Sequence, residues 1–287
     1  MILVTGATGL IGSRLVRRLC AHGAKVRAIT REPANAALPH EVEIVPGDPH
    51  KPATIAAALD GVQAVFLNPR AVGTAAPELL DLARRRGVRK AVALSATNVD
   101  DEESRQPSRY RGDYNREVEA AAIESGLAWV SLRPSMFATN TIGLWAAATR
   151  AGDVVRMPYP DAAWAPLSED DLAEAAAIAL TTDRLVGRKV ELTGPESLTQ
   201  ADMITTIGTA LARPLRVERV APEPVESAMI SSGFPEGFVR ALLALQAEYS
   251  THPAPVSGDL AEILGRPART FASWAADNAA AFTGEQR

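Results

Sequence analysis

The 287-residue sequence has few of the residues that would indicate disulfide, metal or nucleic-acid chemistry. Its one cysteine, Cys20, lies in an apolar helical pattern typical of a small buried residue and cannot form an internal disulfide. The four histidines are too scattered for a metal site. The net charge of −4 provides no basic field, so nucleic acid is not expected as a partner.

Long hydrophobic runs are also missing. The sequence contains no stretch of 18 apolar residues, so no membrane span is predicted. It starts directly on a strand-like segment, without the basic and apolar regions of a secretory signal, which favours a cytoplasmic protein. Lysine is scarce as well, since only four of the 30 basic residues are lysines: Lys25, Lys51, Lys90 and Lys189.

What is present is an alternation of short apolar strands with amphipathic helices. Val, Ile and Leu fill the predicted strands almost continuously, which is typical of a parallel sheet covered on both faces. Glycines follow several predicted helices and act as stop signals. The pattern predicts an α/β fold with a doubly wound parallel Rossmann sheet of seven strands, at 2–5, 25–30, 42–45, 64–67, 90–95, 128–133 and 190–192. The helices of this part are predicted at 10–22, 52–60, 75–86, 113–125 and 168–180.

The alternation of strands and helices ends at about residue 134, after which the chain is mainly helical with prolines between the helices. The proline-rich, aromatic stretch 157–166 is predicted as a loop, and helices are predicted at 145–152, 199–211, 225–232, 236–247, 257–264 and 268–281. We therefore expect two domains. The dinucleotide-binding Rossmann domain would comprise 1–140 plus 168–194, and a smaller substrate-binding lobe would comprise 141–167 plus 195–287.

A glycine-rich turn follows the first strand and opens the first helix. Gly6 permits the tight exit from the strand, Gly9 lets the backbone approach a pyrophosphate, and Gly12 lets the helix pack close to the sheet. The free N–H groups and the dipole of the helix start would then bind the phosphates. The strand before and the βα units after this turn make it a strong signal for a dinucleotide.

The end of the second strand indicates which dinucleotide is preferred. No carboxylate ends this strand to bind a ribose hydroxyl, and Arg31 stands there instead. A guanidinium suits a 2′-phosphate, while Glu32 precedes Pro33 and is expected to point into the loop. The sequence therefore predicts NADP(H) as the cofactor.

Further polar residues follow the later strands. Asp48 comes after the third strand and could accept from the adenine amino group. Asn68 and Pro69 follow the fourth strand and would border the cofactor. Ser95 stands at the carboxyl end of the fifth strand, where open α/β sheets bind ligands.

These segments together resemble a known family. The carrying motifs are TGATGLIG, the turn TRE, GDPHKPATIAAALDGVQAVFLN, ARRRGVRKAVALSA, EAAAIESGLAWVSLRPSMFATN and LTGPESLTQADM. They resemble the NmrA-like, atypical short-chain dehydrogenases/reductases that bind NAD(P), from residue 1 to about residue 211. The resemblance is specific for the family and not for a reaction, because the family includes quinone, azo and ketone reductases and NADP-sensing regulators.

The resemblance also implies roles for individual residues. On the pyrophosphate side it implies contacts from Gly6, Thr8, Gly9, Leu10, Ile11 and Gly12. It places Arg31 at the 2′-phosphate, Asp48 at the adenine, and Asn68 and Pro69 at the nicotinamide ribose. It implies that the segment Pro134, Ser135, Met136 and Phe137 flanks the nicotinamide ring, and that Asn140 closes this motif. For Arg133, within a motif constant in the family, it favours a structural role.

The expected catalytic pair is missing. Ordinary members of the superfamily use a tyrosine as acid, with a lysine one helical turn later that lowers the tyrosine pKa. If Glu119 takes the family's glutamate position, the lysine position falls on Asn115 and the tyrosine position on Arg111. Asp113 is expected to be the helix N-cap. None of the four lysines lies on this helix.

Three alternatives follow for the reaction site. Tyr110 or Tyr114 could act as the acid without a lysine. The substrate or water could supply the proton instead. The site could also be non-catalytic. Ser95 and Thr97 are further candidates to bind a carbonyl oxygen.

Large, flat side chains are predicted to line the substrate pocket, with core packing as the alternative role: Met136, Phe137, Trp145, Met157, Tyr159 and Trp164. The sequence thus predicts an NADPH-dependent reductase that acts on a ketone or quinone of an apolar, aromatic or polyketide-like molecule. The missing pair resembles the atypical ketoreductases found in antibiotic pathways of GC-rich actinobacteria, and this resemblance implies an antibiotic-tailoring ketoreductase. A monomer or homodimer is expected. The alternative is a non-catalytic NADP(H)-sensing regulatory protein.

Overall fold

The computed structural model describes residues 1–284. Within them the strands, in chain order, are β1 (Ile2–Val4), β2 (Val26–Thr30), β3 (Glu43–Pro46), β4 (Ala64–Leu67), β5 (Lys90–Leu94), β6 (Ala128–Pro134), β7 (Val154–Met157), β8 (Ala163–Trp164), β9 (Lys189–Leu192), β10 (Leu198–Thr199) and β11 (Arg216–Arg219). The α-helices are α1 (Leu10–Ala21), α2 (Pro69–Val72), α3 (Ala76–Arg85), α4 (Asn115–Glu124), α5 (Asn140–Ala151), α6 (Glu169–Thr181), α7 (Gln200–Ala210), α8 (Pro222–Ser231), α9 (Glu236–Tyr249), α10 (Asp259–Leu264), α11 (Phe271–Asp277) and α12 (Ala280–Thr283).

The chain forms two compact units. The first comprises Met1–Asp100, Gly112–Pro134 and Glu169–Leu192. The second comprises Asp101–Arg111, Ser135–Ser168 and the described chain from Thr193 onwards. The structure thus places 101–111 with the second unit, which differs from the sequence-based boundaries. The assignment of the two parts to dinucleotide and substrate binding stays a prediction.

The first unit is built on a seven-stranded sheet in which all strands are parallel. The strand order is β3-β2-β1-β4-β5-β6-β9, with β1 between β2 and β4. The predicted doubly wound Rossmann sheet of seven strands is therefore confirmed. The order reverses between β1 and β4, and in such sheets ligands bind in the crevice at this switch point.

Burial explains why the strand sequences are so apolar. All the residues of β1, β4 and β5 are buried. On one side of the sheet, a cluster of buried aliphatic side chains joins the strands to α3 and α4. Amphipathic α3 contributes its apolar stripe to this core through Ala76, Leu79, Leu80 and Ala83.

The second unit has its own core around two short sheets. In one, β7 pairs with β11 in parallel, and in the other, β8 pairs with β10 in antiparallel fashion. A cluster of side chains from α5, α7, α11 and α12 fills the interior, including Trp145, Met203, Ile207, Trp274 and Phe282. No described helix in either unit has the length and apolar character that crossing a membrane would require.

Several predicted elements differ from the observed ones, and the helix predicted at 145–152 begins already at Asn140. Residues 52–60 form a 3-10 helix over Pro52–Leu59, where the Thr54 hydroxyl bonds the carbonyls of Asp48 and Lys51 and competes with α-helical bonding. The predicted loop 157–166 includes β8, which pairs with β10. The predicted helix 268–281 is divided into α11 and α12 at Asn278, whose side chain donates to the Trp274 carbonyl.

A buried ion pair fixes α4 to the sheet. Glu119 on α4 accepts two hydrogen bonds from Arg133 on β6, at 3.0 and 2.5 Å, and one from the Ser131 hydroxyl. The side chains of Glu119 and Arg133 are 5% and 8% exposed, and Asp100 accepts a further bond from Arg133 at 2.7 Å. The structural role expected of Arg133 is thus visible in its contacts.

The environment of Glu119 strongly favours its charged form. Burial by itself would raise the pKa of Glu119. Polar contacts with Arg133, Ser131 and Ser95 and the positive charge of Arg133 outweigh burial, and the pKa falls to about 2. Because the folded pKa lies below the ordinary value of roughly 4.3, ionised Glu119 stabilises the fold above that value, and this stability is lost as the pH falls towards 2.

We expect Glu119→Gln to lower the free energy of unfolding at neutral pH by on the order of 3 kcal/mol, because buried Arg133 loses its buried carboxylate partner and keeps only the exposed Asp100. The difference from the native protein should shrink as the pH falls from roughly 5 towards 2. Urea unfolding at a series of pH values measures both effects. Exposed Glu124 on the same helix is the matched control, and an equal loss in Glu124→Gln would contradict this account.

Candidate cofactor and reaction site

The glycine turn after β1 is built by close backbone contacts. Gly6 has a φ of +65°, and the Gly9 N–H donates to the Gly6 carbonyl at 3.0 Å. A Cβ on Gly12 would overlap the Gly6 carbonyl oxygen. Glycine is therefore required at position 6 because the backbone there is left-handed, and at position 12 because the packing leaves no room for a side chain.

The same turn has the features of an anion site. Gly9 is the N-cap of α1 and provides no side-chain cap for the first N–H groups of the helix. Thr8 and Leu10 are exposed, and Leu10 is 38% exposed despite its apolar side chain. Ile11 is buried under the turn. Free helix N–H groups beside a glycine-lined surface fit the pyrophosphate of a dinucleotide.

The loop after β2 separates a guanidinium from the neighbouring carboxylate. Arg31 is exposed, and within residues 1–284 it has no carboxylate partner. Glu32 accepts a hydrogen bond from the Asn35 side chain at 3.1 Å, so it is held in the loop as expected. The Glu32 amide bonds the Thr30 hydroxyl. Arg31 thus remains available for an anionic group such as a 2′-phosphate.

Asp48 lies in the loop that follows β3. One oxygen of its carboxylate accepts the His50 amide at 3.1 Å, and the Asp48 amide bonds the Thr54 hydroxyl. The side chain is half-buried. Contact with adenine stays a prediction for this residue.

Asn68 and Pro69 lie where β4 ends, next to the glycine turn. The Asn68 amide donates to the Thr5 hydroxyl, which itself donates to Phe66. The Asn68 side chain caps α2, which begins at Pro69. A Cβ on Gly6 would lie 2.9 Å from Asn68 Cβ. The loops after β1 and β4 therefore meet at the switch point, and the contact of Asn68 and Pro69 with the cofactor stays a prediction.

Sequence analysis missed Arg70, which links three loops. Its guanidinium donates to both carboxylate oxygens of Asp113, at 2.9 and 2.8 Å. Its carbonyl lies 3.1 Å from His50 Nε2, and its amide bonds the Asn68 side chain. Only the three-dimensional structure brings these residues together, since Asp113 is 43 residues away.

This pairing corrects the predicted start of α4. The helix begins at Asn115 with Tyr114 as N-cap, and the expected N-cap Asp113 is instead bound to Arg70. Asn115, at the position expected for a lysine, is buried. Lys189 on β9 does approach α4, with Nζ 3.4 Å from Glu119, but it forms an ion pair there and provides no tyrosine–lysine pair.

Ser95 and Thr97 follow β5. The Ser95 hydroxyl is buried and lies close enough to Glu119 to help lower its pKa, although it makes no hydrogen bond of normal geometry within the described residues. The Thr97 amide bonds the Pro134 carbonyl at 3.1 Å. The catalytic role of Ser95 stays a prediction, and its closeness to Glu119 favours a structural one.

Tyr110, a candidate acid, lies against α9. It belongs to a 3-10 helix over Pro107–Arg111, and its ring occupies the place that a Cβ on Gly237 of α9 would take. Tyr110 is 43% exposed, whereas Tyr114 is half-buried. The two tyrosines lie in different units of the chain, which sequence spacing could not show.

The predicted pocket residues of the second unit have varied surroundings. Trp145 and Met157 are in its core, 5% and 4% exposed. Trp164 packs edge-on against Tyr249, with ring centroids 5.0 Å apart. Phe137 bridges to Leu167. Roles in substrate binding stay predictions, and for the first two the packing supports the alternative of core residues.

Other predicted residues of this unit are tied to its backbone. The Ser135 hydroxyl donates to the Ala165 carbonyl at 2.6 Å, and the Met136 carbonyl accepts a hydrogen bond from the Leu167 amide at 2.9 Å. The Tyr159 carbonyl accepts from the Gln200 side chain.

Within residues 1–284, no group of three or more His, Cys, Asp or Glu side chains could hold a metal ion.

The sheet order, the glycine turn and the helix N-terminus define a Rossmann-type dinucleotide-binding protein. The NAD(P)H-binding family model matches residues 6–183. The chain belongs to this NAD(P)H-binding family. The expected NAD(P)H-binding family and its cofactor are thereby confirmed.

Two relatives align over the whole chain. A (4-alkanoyl-5-oxo-2,5-dihydrofuran-3-yl)methyl phosphate reductase of Streptomyces griseus subsp. griseus is 34% identical, covering 99% of this chain and 100% of that protein. An NAD(P)H azoreductase of Xenophilus azovorans is 32% identical, covering 98% and 99%.

Solved structures share the fold at lower identity. An NADPH-dependent quinone oxidoreductase from Escherichia coli has a TM-score of 0.82 and 22% identity, covering 96% of this chain and 99% of that one. NmrA, a negative transcriptional regulator in complex with NADP, has a TM-score of 0.71 and 19% identity, covering 96% and 94%.

We expect Arg31→Ala to raise the Kd for NADPH by about tenfold or more and to change the Kd for NADH less than about twofold, because only NADPH has the 2′-phosphate. Fluorescence titration of each cofactor measures this. Arg17→Ala, at an exposed position on α1, is the matched control. Equal effects on both cofactors would rule out the assignment of Arg31.

Proposed function

We propose that the protein is an NADPH-dependent reductase that delivers hydride to a quinone or other conjugated ketone of an apolar, mainly aromatic small molecule. At the level of class, the protein is an NAD(P)H-dependent oxidoreductase, in agreement with its family and its reductase relatives. The acceptor is the proposed part. One observation carries it, namely the altered start of α4.

The start of α4 lacks the groups that would make a strong proton donor. Asn115 occupies the predicted lysine position, buried and uncharged. Lys189, the lysine that comes near this helix, is paired with Glu119. A tyrosine here would therefore lack the cation that ordinarily lowers its pKa and makes it an efficient acid at neutral pH.

The loss of a general acid matters less for a conjugated acceptor. General acids contribute about 10²–10⁴ to rates, mainly where charge develops on one localised oxygen. In a quinone, the charge that follows hydride addition spreads over the conjugated system to oxygen, where water can protonate it. A site of this kind is thus better suited to a quinone than to an isolated ketone.

The two full-length relatives support this class of acceptor. The azoreductase takes its name from an azo group, an electron-poor N=N bond. The other relative acts on a dihydrofuranone whose ring double bond is conjugated with carbonyl groups. Both names describe multiple bonds that accept hydride with delocalised charge. The Streptomyces origin of one relative also fits the narrower proposal of a polyketide or antibiotic-tailoring role.

Different residues of the chain would bind different parts of the cofactor in such a reaction. NADPH, when bound, supplies the hydride. The N-terminus of α1 and the turn from Gly6 to Gly12 would hold its pyrophosphate, and Arg31 its 2′-phosphate. Asn68, fixed by Thr5 and by its cap of α2, would border the nicotinamide ribose. In the favoured scheme, water or the substrate's own hydroxyl provides the proton.

The second candidate function is an NADP(H)-sensing regulatory protein without catalysis. The same missing tyrosine–lysine pair favours it, and the transcriptional regulator NmrA shares the fold. A sensor would bind the cofactor with the affinity of the reductase but would oxidise no NADPH with any acceptor.

We expect the protein to oxidise NADPH in the presence of 1,4-naphthoquinone or 9,10-phenanthrenequinone. With acetophenone the rate should be at least about 10²-fold lower. The absorbance of NADPH measures these rates. Gly12→Val should abolish the enzymatic rate, because its side chain would overlap Gly6, and so it reports the background reaction. Gly143→Val, which meets open space in α5, is the matched control. No oxidation above background with a broad set of quinones would favour the sensor.

A further inference from the structure

An exposed aromatic surface lies within the second unit. It is formed by Tyr110 from the 3-10 helix 107–111 and by Phe234 and Phe238 around the start of α9. The ring of Tyr110 lies on Gly237, which has no side chain to displace it. The rings of Phe234 and Phe238 are stacked, with centroids 5.6 Å apart and planes 17° apart. Tyr110 is 43% exposed and the two phenylalanines are half-buried.

A guanidinium completes this surface. Arg111 holds its guanidinium carbon 5.4 Å from the centroid of the Phe238 ring. The side chain is exposed, and among the residues that the structure describes no carboxylate pairs with it. We call Tyr110, Arg111, Phe234 and Phe238 the aromatic–arginine surface.

The neighbouring arginines of the same unit differ in this respect. Arg109, two residues earlier, pairs with Glu103 at 2.9 Å. Arg240, two residues after Phe238, pairs with Glu226 at 3.1 Å. In a chain with net charge −4, acids are abundant, yet Arg111 is held against a ring. This leaves its N–H groups available to an anion from outside the chain.

The chemistry of these groups indicates a ligand class. Aromatic faces bind planar conjugated molecules. A guanidinium stacked on a ring still presents its N–H edge, which fits two oxygens of a carboxylate, sulfonate or phosphate. Together they fit a planar molecule that carries an anionic substituent.

We propose that Arg111, with Tyr110, Phe234 and Phe238, forms a binding site within the second unit for planar conjugated molecules that carry an anionic group. This site goes beyond the proposed reductase function and does not depend on it. Arg111 binds the anionic substituent, Phe238 holds the guanidinium, and the exposed ring of Tyr110 contacts the planar part.

The test compares anthraquinone-2-sulfonate with anthraquinone-2-sulfonamide, which has nearly the same shape and no charge. Each is titrated into the full-length protein saturated with NADP⁺, and binding is followed by calorimetry. We expect the sulfonate to bind about tenfold more tightly, as one charge-assisted contact at an exposed site allows. Arg111→Gln should remove this preference by weakening the sulfonate, and Arg111→Lys should keep part of it.

Arg109→Gln is the matched control, because Arg109 is already paired with Glu103 and should leave the preference intact. Equal affinities for the two ligands in the native protein, or an unchanged preference in Arg111→Gln, would overturn the proposal. If Arg111→Gln fails to fold, the same titrations of the native protein are repeated at increasing salt concentration. The preference for the sulfonate over the sulfonamide must then fall, and a salt-independent preference excludes a charge contact.

Binding and reduction are separate readouts in this design. If the sulfonate preference depends on Arg111 but no quinone is reduced by NADPH, the proposed reductase function fails while the anion site stands. If quinones are reduced without any preference for the charged ligand, the reductase function stands and the assignment of Arg111 fails.

Discussion

The close approach of the loops after β1 and β4 is the constraint on which the cofactor site depends. At this point the strand order reverses, and Gly6 and Asn68 are packed so closely that a Cβ on Gly6 would be 2.9 Å from Asn68. Gly12 brings α1 against the same turn. The N-terminus of α1 is therefore fixed beside the switch point, with N–H groups that no side chain caps.

A second constraint fixes α4 independently of catalysis. The buried pair of Glu119 and Arg133 ties this helix to β6, and the lowered pKa of Glu119 shows how strongly the charged form is favoured. In an ordinary member of the superfamily, the tyrosine and lysine lie on this helix. Because the helix is held by the ion pair, the lysine position can be occupied by Asn115 without loss of the fold.

The sequence was sufficient for features with short-range signals. The seven strands of the parallel sheet are found within one or two residues of their predicted bounds, and the glycine turn and the loop role of Glu32 follow from local spacing. The start of α4 was wrong because Asp113 pairs with Arg70, which is far away in the chain. The contact of Tyr110 with Gly237 was equally invisible. Such pairings depend on tertiary packing and leave no periodic pattern.

The surroundings of the predicted pocket residues also depend on tertiary packing that the sequence does not show. Large apolar side chains between 136 and 164 are expected both in a core and in a pocket wall, and composition does not separate the two. The structure packs Trp145 into the core of the second unit and leaves Trp164 half-buried against Tyr249. The rings beside Arg111 come from segments that are distant in sequence, so the sequence analysis, which considered Tyr110 as a candidate acid, could not predict that they lie together.

The central claim is that hydride transfer here needs no protein side chain as proton donor. The most direct test is kcat/KM for 1,4-naphthoquinone, measured from about pH 6 to about pH 9, in the native protein and in the double variant Tyr110→Phe/Tyr114→Phe. The account predicts that the two profiles coincide within a few-fold at every pH. A loss of about 10²-fold or more in the double variant, with NADPH affinity unchanged, would contradict it.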